Sequence, residues 1–422
     1  MRRVLIWKPL SPGSEYDIYR SIDCASQYEF SLREGTFNVG NRLWLQGIMT
    51  AIDSGENHYE FLPAGISADK VNEQFDFIIL PMANIFNVHF VHHLESMADT
   101  FEQIRIPIYV IACGAQAESY DRLEALVEKI GVSARRFIRA IYNTGGEFAL
   151  RGEFTKRFFD RLGFHSAVVT GCPSLYQFGR DFCIPGTDRS TELHPVFNGQ
   201  ITMLEKLLPA YPESSYMDQD AFLRELYAKR TGDPGFREAF AFFCNYEPYA
   251  AELLAHDRIK LIPDMNNWRR YLMESRANFA FGSRIHGNII SLLSEIPATV
   301  VAIDTRTAEM ADFFDIPYIM HQPGHVYTRE ELETAYAQAD YSAFNRNYQD
   351  KYSIYADFLI SRGIVSKVNQ VSPFFAEEKE YLAPPAGVNT EYYQKVARKI
   401  RRNRMLLECA RWAAGIKNNL LR

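Results

Sequence analysis

The 422-residue chain has no C-x-x-C pair, and its six cysteines are scattered at 24, 113, 172, 183, 244 and 409. That excludes a disulfide scaffold, a zinc ribbon and a thioredoxin-type motif. No apolar run approaches the ~18–20 residues of a membrane span. The N-terminus, MRRVLIWKPL, opens with arginines as an export signal would, but only residues 4–7 are apolar before Lys8 and Pro9. An export segment needs an apolar stretch of about 7–15 residues. There is no G-x-S-x-G elbow, no G-x-G-x-x-G fingerprint and no Walker A loop, so hydrolase, dinucleotide and P-loop readings lack support. Basic charge is not in excess either: 46 Lys and Arg against 52 Asp and Glu leave a net charge of −6. Nucleic acid is therefore not an expected partner. The expected setting is the cytoplasm.

What is present is globular in composition, with 47% hydrophobic and 23% charged residues. The length suggests two or three domains. Short apolar runs recur at 4–7, 75–80 (FDFIIL), 106–112 (IPIYVIA), 148–150 and 167–170, separated by helical stretches at 41–52, 92–103, 121–129 and 153–162. Strands that are apolar on both faces mark a parallel sheet, and their alternation with helices predicts an α/β domain over residues 1–185. From 176 to 220 the pattern breaks among prolines and glycines, and a domain boundary is expected there. A second α/β series follows to residue 345, with strands expected at 237–244, 259–262, 278–281 and 298–303 and helices at 267–275, 287–294 and 307–314. Residues 346–422 are expected to form a helical extension. Its end, 389–422, carries nine Lys and Arg against two Glu. That reads as an amphipathic basic helix, either docked on the domain or touching an anionic membrane surface.

Residues 278–317 hold the densest chemistry: a strand, Gly282-Ser283-Arg284-Ile285-His286-Gly287, a helix, a second strand, then Asp304-Thr305-Arg306 and another helix. A strand end entering a helix is where α/β proteins bind ligands, and the helix N-terminus favours anions. Arg284 offers a fork for carboxylate or phosphate, and His286 an acid or base near neutral pH. The plainer alternative is that Arg284 pairs with a buried carboxylate and His286 caps the helix.

Ser283-Arg284-Ile285-His286-Gly287 resembles the signature of the polysaccharide pyruvyltransferase family. The resemblance continues in order through Asn38-Val39-Gly40-Asn41, Ala112-Cys113-Gly114-Ala115-Gln116, Arg151 in FALRGE, Ser174 in VVTGCPS, and Asp304 and Arg306, across roughly residues 35–320. It implies two Rossmann-like domains in a GT-B-like arrangement with a cleft between them. It also implies transfer of a pyruvyl unit from phosphoenolpyruvate to two hydroxyls of a saccharide, nucleotide- or lipid-linked, with no metal or other cofactor. On that basis His286 is the expected general acid/base, with Arg284 beside it. Arg151, Ser283, Gly287, Asn288 and Ser174 are expected at the donor. Asn38, Asn41, Asn84, Gly114, Gln116, Asp304 and Arg306 are expected to line the cleft. The chain departs from the family in having Leu80-Pro81-Met82-Ala83-Asn84 where many members have glycines, and Asn41 where Asp is commoner.

Two other readings stay open. A GT-B glycosyltransferase would use a nucleotide-sugar, yet Glu309 is only a weak match to a ribose-binding acid. A non-catalytic glycan-binding protein would not need the Arg284/His286 pair. His89, His92 and His93 lack a His-Glu-x-x-His pattern and read as a polar helix face.

Overall fold

The protein is described by a computed structural model that covers residues 1–9, 40–52, 57–63, 65–188, 190–219, 258–260, 262 and 265–364. The strand expected at 237–244, Asn38 and the basic tail lie outside these residues.

The first half forms a six-stranded sheet, all parallel, in the order β2-β1-β3-β4-β5-β6. Its strands are β1 (Arg2–Pro9), β2 (Asn57–Leu62), β3 (Phe77–Pro81), β4 (Ile108–Cys113), β5 (Glu147–Leu150) and β6 (Val168–Val169). Around it lie α1 (Gly40–Ile52), α2 (Ala68–Gln74), α3 (Val91–Phe101), α4 (Leu123–Asn143) and α5 (Glu153–Arg161). The run FIILP of β3 is buried at every position, as expected of a strand covered on both faces.

The second half is another parallel sheet, ordered β12-β11-β10-β7-β8-β9. It comprises β7 (Pro195–Asn198), β8 (Ser215–Met217), β9 (Ile259–Lys260), β10 (Phe279–Gly282), β11 (Ala298–Ala302) and β12 (Tyr318–Met320). Counted from β7, the strand order is 3-2-1-4-5-6, the Rossmann order, with its switch point between β7 and β10. Its helices are α6 (Met265–Glu274), α7 (Ile285–Leu292), α8 (Thr305–Phe314) and α9 (Arg329–Gln338). The α/β class and two Rossmann-like halves in a GT-B-like layout are as expected.

Three details differ from the sequence reading. The stretch at 176–220 holds β7, the strand at the centre of the second sheet, and β8. Pro195 opens β7, a position where proline costs no internal ladder bond. The apolar core of that strand is only Val196 and Phe197, both buried, too short to show periodicity. Second, α4 runs fourteen residues past its expected end, to Asn143, because its apolar stripe continues through Phe137 and Ile141. Third, α10 (Ser342–Ser361) runs straight through the expected boundary at 345. It straddles both halves. Before it, the Tyr341 hydroxyl bonds Ala298 of β11. Along it, the Tyr348 hydroxyl donates to Leu175 O at 2.9 Å, and just past its end Arg362 pairs with Glu147 of β5.

Candidate functional site

The carboxyl edges of the two sheets meet. In the second half the meeting point is the switch point itself. Gly282 ends β10, and a side chain there would lie 2.0 Å from the Asn198 carbonyl oxygen, so only glycine lets the two strands approach. Asn198 then organises the turn. Its Oδ1 accepts the Arg284 N–H at 2.9 Å, and its Nδ2 donates to Asn288 Oδ1 at 3.2 Å. Asn288 returns its own amide to the carbonyls of Gly282 and Arg284, at 2.9 and 3.0 Å. Asn288 is fully buried with its amide consumed. It therefore holds the turn rather than the donor, a correction to its expected role. Ser283 Oγ accepts the Gln200 N–H at 3.1 Å. Gly287 gives room to Asn198, whose side chain a Cβ would meet at 3.0 Å.

Arg284 is the N-cap of α7 and His286 its second residue, so His286 does not cap the helix. His286 is buried beneath the start of α1. A side chain on Gly40 would stand 2.8 Å from the His286 Cβ, so Gly40 is required for close approach, not for a turn of positive φ. Asn41 follows it in the first turn of α1. Cys172 Sγ lies 4.0 Å from His286 Nε2, and the Ser174 hydroxyl donates to that sulfur at 3.1 Å. Ser174 thus sits behind Cys172 and reaches the histidine only through it.

The first half contributes Arg151 from the end of β5. Beside it, β4 carries a bulge: its register shifts between Val110 and Cys113, and Ala112 has φ of 67°. A non-glycine residue in the left-handed region costs energy and is typical of a site that re-aims a chain. Here it delivers Gly114 against Arg151, where a Cβ would lie 3.2 Å from Arg151 Cδ. Arg151 is 1% exposed, and its Nε and Nη2 have no hydrogen-bond partner. Arg306 Nε is likewise buried and unpartnered, although its Nη2 pairs with Asp304 at 3.2 Å. Burial lowers the Arg306 pKa, and the charges of Arg151 and Arg284 press the same way. Burial, then Arg151 and Arg306, hold the His286 imidazole well below its ordinary pKa. At neutral pH it is therefore an uncharged base inside a cluster of buried positive charge.

The seam is stitched by the first turns of α8. Asp304 caps that helix with Oδ1, accepting from Thr307 N at 3.0 Å, while Oδ2 accepts from Gln116 Nε2 at 3.0 Å. Asn84 donates in turn to Gln116 Oε1. Thr305 and Ala117 exchange two bonds at 2.9 and 3.0 Å. Glu309 accepts the Thr155 N–H at 2.9 Å and its hydroxyl at 2.8 Å. Burial pushes the Glu309 carboxyl up to about 8 against these bonds and the nearby Arg151. Enclosed in this way, Glu309 is not open to a ribose.

Of the expected residues, Arg151, Arg284, His286 and Arg306 converge. Gln116, Asn84 and Asp304 form one bonded chain beside them. Cys172 and Asn198 were missed, and Glu309 was weighed only as a weak ribose acid rather than as the partner of Thr155, because each meets its partner from a distant part of the chain. His89 precedes α3 whereas His92 and His93 lie in it, so the three do not share a helix face. Among the described residues no three His, Cys, Asp or Glu side chains are grouped to hold a metal, and no helix is long and apolar enough to cross a membrane.

A polysaccharide pyruvyl transferase profile matches residues 38–305. The chain belongs to that family. The matched span runs from the segment before α1 to the first residue of α8, and so contains α1, β5, β10 and α7, while Arg306 lies just past its end. No curated relative matches the chain. Among solved structures, an S. aureus MnaA–UDP co-structure is similar at 10% identity, covering 86% of this chain and 98% of that one, with a TM-score of 0.39. A UDP-N-acetylglucosamine 2-epimerase from Listeria monocytogenes, described as putative, gives 10% identity, 87% and 98% coverage and a TM-score of 0.41. The glycosyltransferase SnogD from Streptomyces nogalater gives 8%, 84% and 86%, and 0.28. Likenesses this loose say nothing of a shared ligand.

Proposed function

We propose that this pyruvyl transferase takes phosphoenolpyruvate as donor and converts two hydroxyls of a saccharide into a pyruvate ketal. One observation carries the reading: buried, unpartnered guanidinium nitrogens of Arg151 and Arg306 surround a buried histidine. Buried N–H donors left without an acceptor are costly unless a ligand supplies one. Phosphoenolpyruvate brings a carboxylate and a phosphate, which suit the planar forks of Arg151, Arg284 and Arg306.

In this reaction the oxygen of the first sugar hydroxyl bonds to the central carbon of the donor and gives up its proton, while the methylene carbon takes a proton and becomes a methyl group. The second hydroxyl oxygen then bonds to the same carbon and inorganic phosphate leaves, with the second hydroxyl proton released. His286, neutral in the empty site, takes the proton of an attacking hydroxyl. The donor's negative charge offsets Arg151 and Arg306, which raises the basicity of His286 as the Michaelis complex forms. The arginines also stabilise charge on the departing phosphate.

Calorimetric titration with phosphoenolpyruvate tests the donor. Saturable binding that is lost in Arg151→Ala and in Arg284→Ala is expected. Equal binding by the wild type and both variants, or binding by none of them with or without a saccharide mixture present, overturns the reading.

A further inference from the structure

The His286 ring has two nitrogens, and they face different surroundings. Nε2 lies 4.0 Å from the Cys172 sulfur, the outer reach of a hydrogen bond to sulfur. Among the described residues no carboxylate or carbonyl bonds the ring. Nδ1 has no hydrogen-bond partner there, yet it is not sealed in protein as the unpartnered Nε atoms of Arg151 and Arg306 are. Nδ1 is therefore the nitrogen that a substrate can reach, and Nε2 is the one turned to Cys172.

The sulfur is held in place from several sides. Before it, Thr170 N and Gly171 N both bond Leu150 O, at 2.9 and 3.1 Å, and Gly171 takes φ of 75°. After it, α1 presses on the chain: a Cβ on Gly47 would lie 2.1 Å from Pro173 O. Gln177 Nε2 ties Leu43 O of α1 to Ser174 O, at 3.1 Å each. Cys172 and Ser174 are both fully buried, and the Ser174 hydroxyl spends its hydrogen on Sγ at 3.1 Å. A buried cysteine is ordinarily a small apolar filler. This one instead accepts a hydroxyl hydrogen and faces a ring nitrogen.

A neutral imidazole carries one proton, and the hydrogen bond at one nitrogen decides which nitrogen holds it. We propose that Cys172 is a positioning residue: its sulfur accepts the Nε2–H of His286, fixes the ring in that tautomer and leaves the Nδ1 lone pair as the base. This rests on the pyruvyl-transfer reading above and adds which nitrogen reacts and what orients it. As the attacking oxygen bonds to the central carbon of the donor, its proton passes to Nδ1. The ring becomes an imidazolium with Nε2–H still on the sulfur, and Cys172 neither gains nor loses a proton. A carboxylate in the same place would also orient the ring, but its charge would raise the basicity of His286 before any donor arrived. A thiol orients the ring without that charge, so the strength of the base is left to the anions of the donor, which offset Arg151 and Arg306.

The test reads the tautomer directly, by proton–nitrogen correlation spectra of the full chain labelled at histidine, near neutral pH and without substrate. The His286 signals are those absent from His286→Ala. Wild type is expected to show Nε2 protonated and Nδ1 bare. Cys172→Ala is expected to lose that preference, and Cys172→Ser, which keeps an acceptor, to retain it. Phosphate release from phosphoenolpyruvate, in the presence of mixed nucleotide- and lipid-linked saccharides, gives the second readout. Cys172→Ala is expected to lower kcat by about 10–100-fold, the usual cost of losing the group that orients an imidazole. Its KM for phosphoenolpyruvate should stay near wild type, and Cys172→Ser should recover most of the lost rate. A proton on Nδ1 in the wild type overturns the proposal with no variant needed. So does a Cys172→Ala protein that keeps the wild-type tautomer and kcat, or a Cys172→Ser protein no better than Cys172→Ala. Failure of the wild type to bind phosphoenolpyruvate overturns the donor reading instead and leaves the tautomer result standing, so the two failures are distinct.

Discussion

Two strand-to-helix junctions build this site, and they are supported in opposite ways. The junction between β10 and α7 is self-sufficient. Asn198 and Asn288, both in the second half, satisfy its backbone and each other. The junction between β5 and α5 borrows its support. Its N-cap is Gly152, which has no side chain to offer. The capping acceptor is Glu309 of the second half, bonded to the Thr155 N–H. Gly152 cannot carry a side chain, because a Cβ would stand 2.7 Å from the Glu309 Cβ. The lesson is that His286 and Arg284 sit on a turn whose bonds all lie within one half, whereas the helix that follows Arg151 takes its cap from the other half.

The sharpest test of that contrast is catalytic. His286→Ala is expected to lower kcat by about 10²–10⁴-fold, the usual worth of a general acid or base, with thermal stability near wild type. Arg151→Ala is expected to cost about 10²–10³-fold, in the range of one lost charge-stabilising group. If His286→Ala turns over like wild type, the self-supported junction is not the reacting one.

Asn198→Ala attacks the self-sufficient turn. It leaves the Arg284 N–H and the Asn288 carbonyl without partners, a cost of about 1–3 kcal/mol for a buried group. Urea denaturation would read that loss. Glu309→Ala attacks the borrowed junction, removing a cap worth about 1 kcal/mol. Its distinguishing effect is a raised KM for donor, because Arg151 loses its frame, whereas Glu309→Gln keeps an acceptor oxygen and stays close to wild type. If the two variants behave alike, the capping contact is not what positions Arg151.

The last test concerns pH. The Glu309 carboxyl rises from an unfolded value of 4.5 to about 8 on folding. Between those values the folded protein holds a proton that the unfolded chain does not. This group's contribution to stability is full below about pH 4.5 and is lost as pH rises through about 8. The wild type should therefore lose more stability between pH 6 and pH 9 than Glu309→Gln does. Parallel curves for the two proteins would remove the assignment.

Much of this was legible in the sequence. Long apolar strands such as β3, β4 and β11 announce parallel sheets, and the Ser283–Gly287 segment announces the strand-to-helix junction at which the site is proposed. What was hidden follows from separation along the chain. Asn198 acts on residues 284 and 288, more than eighty positions away, and nothing local marks it. Glu309 was weighed only as a weak match to a ribose-binding acid, because the glycine that makes its capping role necessary lies at 152. Cys172 reaches His286 across 114 residues. Local pattern reports which face of an element is apolar. It does not report which distant backbone donor has been left for another segment to satisfy.

The path of α10 has a consequence for how the molecule would come apart. The chain passes from the first half to the second between β6 and β7, and α10 carries it back, ending with Arg362 on Glu147 of β5. A cut in the exposed segment near Asp188 would sever only the first passage. The two fragments would each keep part of the other half's packing, and they should stay together as a nicked protein. The same geometry makes that segment the natural place to split the chain into two pieces that reassemble when expressed together.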